Sequence, residues 1–107
     1  MAFRVRLTPR AAEDVERIYR RVVQEAPLHG PEWYDGLIRS IDSLATVPNR
    51  CPPVKALSTP RSTIRKLLYG RRPHVYLVYF DVVEDSVRIL HIRHGARREP
   101  ARQDLLR

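Results

Sequence analysis

Residues 63–94 read TIRKLLYGRRPHVYLVYFDVVEDSVRILHIRH, and the fold class turns on them. Three runs rich in β-branched and aromatic residues, 63–69, 75–82 and 86–94, predict strands. Gly70-Arg71-Arg72-Pro73 separates the first two, with Gly70 ending the first, and Glu84-Asp85 turns between the second and third. Parallel neighbours need a crossover of about a dozen residues, so connections this short predict antiparallel hairpins. Strict alternation places Arg65 and Tyr69 on one face, with Lys66 on the other. It places His91 with Arg93, and Arg88 with His94 on the opposite side. Apolar residues fall on both alternations of the last strand, so patterning leaves the core face open.

Upstream the period changes. Val15, Ile18, Tyr19 and Val22 recur at helical spacing, with Thr8 as cap and Pro9 in the first turn, predicting a helix over about 9–25. Glu13 and Asp14 lie near its positive end. Pro31 opens a second helix with the stripe Tyr34, Leu37, Ile38, Ile41, Leu44 and Ala45, and Pro48 ends it. A break of about five residues between them predicts an antiparallel helical hairpin. Residues 48–62 form a proline-rich loop carrying Cys51, with room for a short turn. Phe3, Val5 and Leu7 alternate with Arg4 and Arg6, a short strand that joins the sheet beside a neighbour left open. The expectation is α+β: β-α-α-β-β-β, with the helical hairpin packed on an antiparallel sheet.

A chain of 107 residues has the size of one domain, here 1–107, with 96–107 as a basic tail or short helix. Two domains, or a doubly wound sheet around a large cofactor, are excluded by size. The formal charge is +8, and eighteen of the twenty basic residues are Arg. Residues 1–53 hold eight basic and seven acidic residues, whereas residues 54–107 hold twelve and five. That asymmetry fits a polyanionic or acidic partner, or a solubilising surface. Neither a signal peptide nor a membrane-spanning run is visible, and the single Cys51 fits a reducing cytoplasm.

No cofactor or metal is expected. His91 and His94 are three apart on a strand and point to opposite faces, and His29 and His74 sit in separate turns. Asp81, Glu84 and Asp85 read as turn residues, not as an inward-facing two-metal set. Ser58 and Ser62 lack a nucleophile elbow, and four glycines make no phosphate loop. Cys51, between Arg50 and Pro52, reads as either a semi-buried loop thiol or one of lowered pKa. What remains is a basic strand surface. Metal-free RNA cleavage needs a base, an acid and cations around the phosphorane, and His94, Arg65 and Arg93 are candidates. The alternative for each is structural: a locally bonded histidine, and charges solvated or paired across strands.

Four stretches taken together resemble the RelE/ParE superfamily of type II toxin–antitoxin toxins. They are VRLTPRAAED at 5–14, Trp33 and Tyr34 with Leu37, Ile41, Leu44 and Pro48, RKLLYG at 65–70, and VRILHIRHGAR at 87–97. The resemblance implies a growth inhibitor neutralised by a cognate antitoxin whose acidic C-terminal segment wraps it, with operator DNA met only through that complex. The HGAR ending and the scarcity of lysine are similar to ParE-type members, which implies DNA gyrase as the target. The RelE-like alternative implies a ribosome-dependent, metal-independent mRNA endoribonuclease. In that case Arg65, Arg93 and His94 would be catalytic. Lys66, Tyr69, Arg71, Arg72, Arg88, Arg97 and Arg98 would bind RNA or target. A third possibility is a toxin of weak or no activity that serves mainly in a repressor complex with its antitoxin.

Overall fold

The structure is a computed structural model and describes residues 2–105. Its elements run β1 (Arg4–Leu7), α1 (Pro9–Glu25), α2 (Gly30–Asp42), β2 (Arg65–Arg71), β3 (His74–Val83), β4 (Ser86–His94) and a short α3 (Arg102–Leu105). Leu106 and Arg107, part of the expected tail, lie outside the described residues. The sheet order is β1-β4-β3-β2. The last three strands pair antiparallel, as their short turns require. β1 settles its open neighbour by joining β4 in parallel, Val5 opposite Val87 and Leu7 opposite Ile89.

Local chemistry explains the boundaries. The Thr8 hydroxyl accepts from the Ala11 amide at 3.2 Å and donates to the Ile89 carbonyl at 2.8 Å, so one side chain caps α1 and ties it to β4. The second helix ends earlier than its stripe predicts: Ser43–Ala45 tighten into a 3-10 turn, which still buries Leu44. The proline loop carries two more such turns, Pro48–Arg50 and Lys55–Leu57. Gly70 does not end β2. It takes φ +98° and the strand runs on to Arg71, because a residue without Cβ can sit against the His74 carbonyl.

One irregularity changes the faces. The register between β3 and β4 shifts at Tyr79/Phe80: Tyr79 faces His91 and Phe80 faces Ile89, leaving Leu90 as the extra residue of a bulge. Val87 and Ile89 therefore point at the helices before the bulge, and Ile92 and His94 after it. The expected pairing of Arg88 with His94 on one face is overturned for this reason, since Arg88 lies on the outer face. His91 and Arg93 remain together around Tyr79.

Both faces carry a core. Against the helices, Val78, Phe80, Val87, Ile89 and Ile92 meet Ala11, Val15, Leu37, Ile41 and Leu44. On the outer face, Tyr79 and Leu90 are covered by Val54 and Leu57 of the proline loop, by Ile64 just ahead of β2 and by Leu105 of α3. Among the described residues no helix is long and apolar enough to cross a membrane, and no group of three metal-ligating side chains gathers.

Candidate functional site

The buried contact that fixes the helical hairpin to the sheet lies beside the bulge. Asp14, in the second turn of α1, does not stay at the surface. Its Oδ2 approaches His91 Nδ1 at 2.6 Å and accepts from the Ile92 amide at 3.1 Å, while Oδ1 accepts from Arg17 at 2.7 Å. Burial works against the Asp14 charge, but the bonds from His91, Arg17 and Ile92 outweigh it and hold the carboxyl below its usual range. With Asp14 ionised, His91 Nδ1 carries the proton and donates it. His91 also stacks on Tyr79, with ring planes 13° apart.

The basic candidates separate into three places. Arg65 begins β2 on the helical face, and its guanidinium donates to the Cys51 carbonyl at 2.7 Å and that of Asn49 at 3.3 Å, clamping the proline loop. Burial pushes the neighbouring Cys51 thiol up despite Arg50 and Arg65, which favours the inert loop thiol over a reactive one. Arg93 lies on the outer face, some 9 % exposed. Its Nε donates to the Tyr79 hydroxyl at 2.9 Å, and Nη1 reaches the carbonyls of His94 and Arg97. His94 lies on the helical face at the open end of the sheet, packed on Tyr76 and His74. The row of Arg65 (Phe80, Ile89) and the row of Arg93 (Leu77) stand three β3 residues apart, about 10 Å. The three proposed catalytic groups do not converge.

Of the proposed binding residues, Arg88 is engaged: it grips the buried Asp81 carboxylate through Nε at 2.9 Å and Nη2 at 2.6 Å. Lys66 lies opposite Tyr79 on the outer face. Tyr69 is wedged under α2, its hydroxyl donating to the Trp33 carbonyl at 2.8 Å. Gly36 makes that wedge possible, since a Cβ there would stand 2.2 Å from the Tyr69 oxygen. Arg71, Arg72, Arg97 and Arg98 are exposed around the sheet's open end. Sequence reading did not single out Asp14, Tyr79, His74 or Trp33 for these contacts, because each meets its partner through the bulge or across two elements. The helices add an open groove of about 450 Å³ lined by Val15, Tyr19, Pro31 and Tyr34, with Glu16 and Asp35 on its walls.

The fold has solved counterparts. A solved structure described as the chromosomal ParDE TA system from P. aeruginosa superposes with a TM-score of 0.69 at 22 % identity, covering 87 % of this chain and 96 % of that one. A search of curated proteins returns no significant match. The sequence itself matches the family described as the ParE toxin of type II toxin-antitoxin system, parDE, over residues 5–99. That match reaches all four strands and both long helices, and so the chain belongs to the ParE toxin family of type II toxin–antitoxin systems.

Proposed function

We propose that this toxin arrests growth by acting on DNA gyrase and that a cognate antitoxin holds it in check. The supporting observation is the dispersal of the ribonuclease candidates. Arg93 is bonded to Tyr79 and to tail carbonyls on one face, His94 lies on the other, and Arg65 clamps a loop about 10 Å away. General acid–base cleavage needs its groups within hydrogen-bond reach of one phosphate, and these lie around none. A toxin that works by binding a protein has no such requirement.

The antitoxin reading rests on family membership and on chemistry that suits a disordered acidic segment. Apolar side chains of such a segment would seat between α1 and α2, where Val15, Tyr19 and Tyr34 line the groove. Its carboxylates would meet the exposed arginines of a chain carrying +8. Operator DNA would be met through the antitoxin, and cytoplasmic action follows from both partners.

The test is induced expression in a sensitised bacterial host, with mRNA 5′ ends and a DNA-damage reporter read together. DNA damage with unphased mRNA ends is the expected result. Codon-phased ends without damage would overturn it and return Arg65, Arg93 and His94 to catalytic roles. Growth without arrest would leave a repressor-complex partner of little intrinsic activity.

A further inference from the structure

The open end of the sheet carries a row of rings that the gyrase reading does not use. Ring centroids run from Tyr69 to Trp33 at 6.2 Å, to Tyr76 at 5.3 Å, to His94 at 5.1 Å and to His74 at 5.7 Å, each contact edge-on. The row starts under α2 and ends in solvent: Tyr76 is buried, His94 half-buried and His74 exposed. Among the described residues His94 is the one ring that His74 touches, which leaves ring surface open to water.

Arginines stand beside the last two rings. Arg71 stands opposite His74 across the hairpin, Arg72 is in the turn between them, and the Arg97 amide donates to the His94 carbonyl at 3.0 Å. Among the described residues none of these three arginines has an acidic partner. Arg21 and Glu25 also approach from α1, but they bond to each other at 3.3 Å. Burial first, and then His74, Arg21 and Arg97, push the His94 pKa down, with Glu25 opposing. Its Nδ1 accepts from the Ala96 amide at 3.0 Å, so in the neutral ring Nε2 carries the proton and is a donor.

We propose that this end of the toxin binds a single-stranded nucleic acid, with phosphates on Arg71, Arg72 and Arg97 and a base stacked on His74. Every base has a π-face, and stacking platforms flanked by arginines take single strands without reading their sequence. An acidic peptide would satisfy the same arginines but would leave the open ring unused. The proposal concerns binding without cleavage and stands whether or not gyrase is the target.

The test is fluorescence anisotropy of a labelled single-stranded oligonucleotide with the purified chain, beside its duplex and with polyglutamate as competitor. The single strand should bind more tightly than the duplex. His74→Ala should weaken it by about tenfold, whereas His74→Phe, which keeps a ring, should stay within about twofold of the parent. The double change Arg71→Ala/Arg97→Ala should reduce the log–log salt slope by about 1.4. Arg4→Ala, on the opposite edge of the sheet, should change nothing. Unaltered binding by His74→Ala, equal affinity for the duplex, or displacement by polyglutamate at matched charge would each overturn the proposal.

Discussion

The two faces of the sheet are closed by different means. Two regular helices cover one face and satisfy their own backbone groups while burying an apolar stripe. The other is covered by a proline-rich loop and a tail, whose carbonyls need partners from elsewhere. Arginine supplies them. Arg65 donates to Cys51 and Asn49, Arg102 to Leu57, Arg93 to Arg97 and Arg10 to Asp104. Four of the eighteen arginines are therefore holding irregular backbone in place. The arginines left for a partner concentrate at the open end.

Substitutions can break this contrast, and the largest effect belongs to the helical face. Phe80→Ala removes a fully buried ring and should cost about 4 kcal/mol in urea unfolding. Asp14→Ala strands His91 and the Ile92 amide and should cost about 3 kcal/mol. Because the folded pKa of Asp14 is depressed, the unfolded chain binds more protons in acid. Its stabilisation is present above about pH 4 and is lost as pH falls below that, so the variant should show a flatter acid limb.

Leu105→Ala should cost about 2 kcal/mol and speed amide exchange in the tail. A loss equal to that of Phe80→Ala would erase the distinction between the faces. Arg65→Ala should cost about 1 kcal/mol and loosen the proline loop, read by proteolysis at 49–61. The smallest effect concerns His94. Its folded pKa lies below the unfolded value, so stability should drop slightly as pH falls through about 6.5 and then level off. His94→Gln should remove that step in urea midpoints measured from pH 7.5 to 5.

The sequence made the helical face legible and the outer face nearly opaque. Stripes such as Leu37, Ile41 and Leu44 report burial directly, and the short turns dictate the hairpins. The bulge at Leu90 breaks the two-residue period, so alternation misplaced Arg88 relative to His94. Glu13-Asp14 reads as ordinary helix-start chemistry, since nothing local signals a histidine 77 residues away. The separation of Arg93 from His94 was legible in that same alternation, whereas the offset of Arg65 from both was hidden, because it follows from how strands align rather than from which residues they carry.

The parallel seating of β1 on β4 has a consequence for how the toxin is made. The first strand to leave the ribosome has its partner, 86–89, near the end of the chain, and Asp14 waits for His91 in the same way. Long-range closure of this kind comes late. A translation product cut short before β4 has neither the edge pairing nor the buried carboxylate–imidazole lock, so the two ends of the chain are secured together and only at the last strand.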